Sequence, residues 1–119
     1  MRIANLTNDK GRAWVNQIVI DGKLKDGGDI AILQSYDSKV AMIDYENHKI
    51  DLGDAWNYSA TTRRAVYKFL SDNIGFDYKL DKPTIDNALK LGAMTDLYGE
   101  RWEVSSACDD FFEVIGAMA

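Results

Sequence analysis

Cysteine, proline and histidine each occur only once in this 119-residue chain. A lone cysteine, Cys108, excludes an internal disulfide and any zinc site built on several thiolates, which suits a reducing compartment. The lone histidine, His48, lies between Asn47 and Lys49 in a polar, turn-like stretch. It reads as an exposed turn residue and leaves proton transfer without its usual agent. A single Pro and nine scattered Gly give no sign of low complexity. No stretch approaches the roughly 18 apolar residues of a membrane span, and the N-terminus lacks the basic, apolar and small-residue succession of a secretion signal. The expectation is a soluble, cytoplasmic protein. Gly27-Gly28 has neither the spacing nor the Lys-Ser/Thr ending of a phosphate loop, so it reads as a plain turn.

What is present is ordinary globular material, 46% hydrophobic and 28% charged, enough for one domain around one core. The net charge of −5 is unevenly spread. Residues 1–28 carry five basic and three acidic groups, and residues 29–56 carry two and six. Residues 57–76 carry three basic groups and one acidic, and residues 77–119 carry four and nine. Such a surface disfavours direct nucleic-acid binding and suits a basic protein partner.

Apolar periodicity divides the chain into a strand-rich first half and a helix-rich second half. Residues 13–20 are rich in β-formers and close on Asp21-Gly22, with a shorter strand before them at residues 2–6. Residues 30–36 and 39–45 are short apolar runs around Asp37-Ser38 and read as a hairpin, in which Tyr36 and Tyr45 form a cross-strand pair. Strict alternation puts Val40, Met42 and Asp44 on one face of the second strand. Residues 49–52 add a short strand. Ser59 then caps a helix over about residues 60–73, stopped by Gly75. A second helix covers about 84–91 and ends at Gly92, and a third, over about 105–118, presents Phe111, Phe112 and Ile115. The expected fold is therefore α+β: an antiparallel sheet of three to four strands over residues 13–52, followed by about three helices. Residues 76–80 read as a connector or strand, and residues 94–101 receive no assignment.

Two groups of residues stand out as candidate sites. Ser59, Thr61, Thr62, Arg63 and Arg64 open the first helix, where free backbone N–H groups, hydroxyls and guanidinium groups together suit an anion. Trp56 and Tyr58 precede them and offer a stacking surface, which makes a nucleotide-binding or nucleic-acid-binding module one reading. The second group is the acidic C-terminal segment, with Asp96, Glu100, Glu103, Asp109, Asp110 and Glu113, whose spaced carboxylates suit a basic partner surface. Neither group supplies a nucleophile with a base or a set of metal ligands, so no catalysis, cofactor or metal is expected.

Two stretches carry a resemblance: Ser35-Tyr36-Asp37-Ser38-Lys39-Val40-Ala41, and Trp56-Asn57-Tyr58-Ser59-Ala60-Thr61-Thr62-Arg63 with the helix that follows. They resemble a family of small proteins of bacteriophages, prophages and other mobile elements marked by S-Y-x-x-x-V-A and W-x-Y-S-x-T-T. The resemblance covers residues 30–72. Arg64 stands where a histidine is common in such proteins. The family carries no established activity, so the resemblance implies a setting, a bacterial host cytoplasm. In that setting small acidic proteins without catalytic residues look like anti-CRISPR and anti-restriction inhibitors, which occupy a host nuclease by protein–protein contact.

Overall fold

The computed structural model describes residues 2–23 and 27–106. Within them the chain runs β1 (Arg2–Thr7), β2 (Ala13–Lys23), β3 (Asp29–Ser35), β4 (Ser38–Asp44), β5 (Lys49–Leu52), α1 (Ala60–Asn73), α2 (Lys82–Leu91), β6 (Ala93–Thr95) and β7 (Arg101–Ser106). All seven strands join one sheet in the order β1-β2-β3-β4-β5-β7-β6. The first five form an antiparallel meander. β7 pairs parallel to β5, and β6 returns antiparallel to β7. A parallel neighbour requires a long crossover, and α1, α2 and β6 supply it.

Among the described residues, seven strands of mixed direction and two helices thus replace the expected three to four strands and three helices. β1, β6 and β7 make up the difference, and β7 takes residues assigned to the third helix. Residues Arg101–Ser106 alternate in burial, with Trp102 and Val104 inside and Arg101 and Glu103 outside, the period-two signature of a half-buried strand. Ser105 and Ser106 therefore belong to β7. The rest of the expected 105–118 helix, with Cys108, lies outside the described residues. Residues 76–80 form a connector without strand pairing.

Both helices begin and end for local reasons. Ser59, in extended conformation, accepts a hydrogen bond from the Thr62 amide at 3.1 Å. α1 then buries Thr62, Ala65, Val66, Phe69 and Leu70, a single stripe at helical spacing. Asp81 caps α2 through the Thr84 amide at 2.9 Å, Pro83 sits in the first turn, and Gly92 closes the helix at φ 77°. α1 lies over β3 and β4, and α2 over β6 and β7.

The main core lies between helices and sheet and includes Leu33, Ile43, Ile50, Leu52, Val66, Phe69 and Ile85, all fully buried. A smaller cluster of Ile30, Ile32 and Met42 lies apart from it. Val40 departs from strict alternation. The β3–β4 register passes from Leu33↔Ala41 to Gln34↔Lys39, leaving Val40 as the extra residue of a bulge. The bulge lets Val40 and Ala41 both enter the main core, away from Met42. No described helix is long and apolar enough to cross a membrane.

Candidate binding site at the sheet–helix junction

The two stretches that carry the resemblance meet in space. Ser35, Tyr36, Asp37 and Ser38 turn the β3–β4 hairpin, Tyr58 and Ser59 lead into α1, and together with Thr61 and Thr62 they line a groove of about 590 Å³. The turn sits one position earlier than expected, because Ser35 pairs with Ser38 and Tyr36-Asp37 forms the connection. Tyr36 consequently takes φ 55°, a left-handed conformation that costs a bulky side chain of order 1 kcal/mol. Neighbouring groups hold it there. Its amide donates to the Asn16 carbonyl at 2.8 Å, and its carbonyl accepts from the Gln34 side chain at 2.9 Å.

Beneath the groove the hydroxyl groups satisfy one another. The Ser59 hydroxyl donates to Thr62 Oγ1 at 3.1 Å, and Thr62 Oγ1 lies 3.1 Å from the buried Ser35 Oγ. Gln17, the register partner of Ser35 on β2, is fully buried, and its amide has no hydrogen-bond partner. Most of the shared pattern therefore has a structural task. Val40 and Ala41 fill the core at the bulge, Trp56 is 5% exposed, Ser59 caps the helix, and Thr62 links helix to strand. Two tyrosines have no such task. Tyr36 is 54% exposed and Tyr58 86% exposed, both at the rim of the groove.

The expected anion receptor is not assembled as one unit. Ser59 and Thr62 are spent on capping and on the hydroxyl chain, and Thr61 faces the groove. Arg63 donates from Nη1 to the Asn57 carbonyl at 3.3 Å. Arg64 lines a different cleft. Trp56 is buried and offers no stacking face, and Tyr36 and Tyr45 are not a pair. Tyr45 instead meets Trp102 edge-on at 6.5 Å and donates to Asn73 Oδ1 at 3.1 Å, while burial, chiefly, pushes its hydroxyl pKa up to about 12.

The acidic group is divided as well. Asp96 is buried in the β6–β7 turn, where it accepts from the amides of Tyr98 (2.8 Å) and Glu100 (3.0 Å) and from Trp102 Nε1 (2.9 Å). These bonds, the Trp102 one foremost, hold its carboxyl below the usual range. Glu100 and Glu103 are exposed, each with an oxygen 3.9 Å from a basic group, His48 and Lys49 respectively. Asp109, Asp110 and Glu113 lie outside the described residues. His48 stacks on Trp102 at 4.5 Å, which its place in a turn does not foretell. Among the described residues no group of three or more His, Cys, Asp or Glu could hold a metal ion.

Residues 1–86 match the model of a family of unknown function, DUF8033. The chain belongs to this family. No curated protein and no solved structure matches it. The DUF8033 span is wider than the two stretches that carry the resemblance. It takes in β1 to β5, α1 and the first half of α2, and so includes the whole junction groove. β6 and β7, with Asp96, Glu100 and Glu103, fall outside it.

Proposed function

We propose that the protein is a non-catalytic binding protein that works by protein–protein contact, with the junction groove at the centre of the contact surface. The observation that carries this reading is the pair Tyr36 and Tyr58, two large amphipathic rings left in solvent at the rim of one groove. Exposed tyrosine on a rigid support is typical of contact surfaces, because it offers a large area at small conformational cost. The Tyr36 backbone is held in an unfavourable conformation by its neighbours, so the ring is presented at some cost to the fold. Asp37 lies in the groove lining and Asp54 precedes the lining residue Ala55 in sequence, neither in an ion pair among the described residues, on a protein of net charge −5. A basic partner surface complements that arrangement.

The partner class follows from the mobile-element setting that the resemblance implies: a host defence nuclease, a CRISPR effector or a restriction enzyme, whose nucleic-acid-binding surface is basic. Inhibition is by occupation. Glu100 and Glu103 remain candidates for the rim of such a contact, whereas Asp96 is committed to its own turn. Pull-down of purified host effector nucleases and restriction enzymes by the tagged protein tests the reading. Capture that is lost in the Tyr36→Ala/Tyr58→Ala double variant supports it. Failure to capture any of them, or capture unchanged in the double variant, overturns it.

A further inference from the structure

A second concavity lies farther along α1 and shares no lining residue with the junction groove. It is a cleft of about 900 Å³ between the β1–β2 connection, α1 and the segment before α2. Its aromatic surface comes from Trp14, Tyr67 and Tyr78, and its cations are Lys10, Arg64, Lys68 and Lys79. Three carboxylates share the lining, and two are engaged. Asp72 pairs with Lys68 at 3.0 Å, and Asp81 accepts from the Thr84 amide and hydroxyl to cap α2. The Lys68–Asp72 pair cancels, but Asp81 keeps its charge as a cap, so Lys10, Arg64 and Lys79 face Asp9 and Asp81 and the cleft is left with a small cationic excess on an acidic protein.

One group in the cleft is unexplained by the fold. The hydroxyl oxygen of Tyr67 is buried and has no hydrogen-bond partner. A buried hydroxyl without a partner costs about 1–3 kcal/mol, and the protein carries that cost where a ligand could relieve it. Volume, aromatic wall, excess cations and an orphaned hydroxyl together describe a receptor for a flat anionic molecule. We infer that this cleft binds a mononucleotide, with the base against Trp14, the phosphate toward Arg64, Lys10 and Lys79, and the Tyr67 hydroxyl as a hydrogen-bonding group. The overall charge of −5 favours a free nucleotide over a polynucleotide, whose many phosphates the acidic remainder repels.

Trp14 is the tryptophan that lines the cleft, so the part of the intrinsic emission change that Trp14→Phe removes reports on it. Titration with AMP, GMP and UMP at low salt is expected to give saturable quenching that Trp14→Phe abolishes. Arg64→Ala is expected to weaken binding about tenfold, the value of one charge-assisted hydrogen bond. Tyr67→Phe keeps the ring and provides the control for folding. It is expected to weaken AMP binding several-fold while leaving the melting temperature of the free protein unchanged or higher. Inorganic phosphate is expected to compete weakly. Absence of saturable quenching by all three nucleotides, equal affinity in Arg64→Ala, or tighter binding of a short single-stranded oligonucleotide than of any mononucleotide each overturns the inference.

Discussion

The junction groove and the α1 cleft border the same helix, but they treat their hydroxyl groups in opposite ways. At the groove the hydroxyls of Ser35, Ser59 and Thr62 form a closed set of hydrogen bonds, although the Gln17 amide stays unpartnered, and what remains exposed is the rings of Tyr36 and Tyr58 with the Asp37 carboxylate. At the cleft Arg64 and the Tyr67 hydroxyl are left unspent beside one another on the helix. A surface whose hydroxyls are already satisfied suits a broad contact made by rings and backbone. One with polar atoms still to be satisfied suits a small ligand that brings partners of its own.

Hydroxyl deletion should separate the two regions. Thr62→Val keeps the shape but removes the atom that Ser35 and Ser59 share, and it is expected to destabilise the fold by about 1–3 kcal/mol in urea denaturation. Tyr67→Phe in the cleft should cost nothing, and a comparable loss there would erase the contrast. Gln17→Leu sharpens the groove side. Its amide is buried without a partner, so removing it is expected to leave stability equal or raise it by about 1 kcal/mol.

Tyr36→Gly relieves the left-handed strain but adds freedom to the unfolded chain, for a net gain between about 0 and 1 kcal/mol. If the proposed contact with a nuclease is made here, the same variant should weaken it. A fall in stability would mean that the ring holds the turn and is not there for contact. Two capping carboxylates allow a pH comparison. Hydrogen bonds from Thr84 to Asp81 and from Trp102 to Asp96 hold both carboxyls below their usual range. Their contribution is present above the ordinary carboxyl pKa near 4 and is lost as pH falls through the depressed values. Asp81→Ala and Asp96→Asn should each be less stable than the parent at neutral pH, with the deficit narrowing on acidification. A deficit independent of pH would assign the effect to packing. Tyr58→Ala should be the mildest in stability, within about 0.5 kcal/mol, because the ring is in solvent.

Local chemistry made much of this legible in the sequence. The Ser59 cap, the bounds of α1 at residues 60 and 73 and the Gly92 stop are all written within a few residues of where they act. The β3–β4 hairpin is legible too, but its turn comes one residue early, because propensity argues against an aromatic at φ 55° and only tertiary hydrogen bonds hold Tyr36 there. β7 shows its period-two pattern, yet its pairing with β5 joins residues more than fifty positions apart, which no local window contains. For the same reason spacing alone did not reveal that Asp96 is consumed by its own turn, or that Trp14 and Arg64 line one cleft.

The order of the sheet gives the last segment a protective task. β5 is a four-residue strand whose far side is occupied by β7, with the Glu103 amide bound to the His48 carbonyl at 2.9 Å. The span matched by the family model stops at residue 86, before β7. A chain cut there would leave the Lys49–Leu52 backbone as an open template for foreign strands, flanked by the fully buried Ile50 and Leu52 side chains. β7 therefore closes a sheet edge that, in a chain cut there, would favour self-association of the part of the molecule that carries the groove.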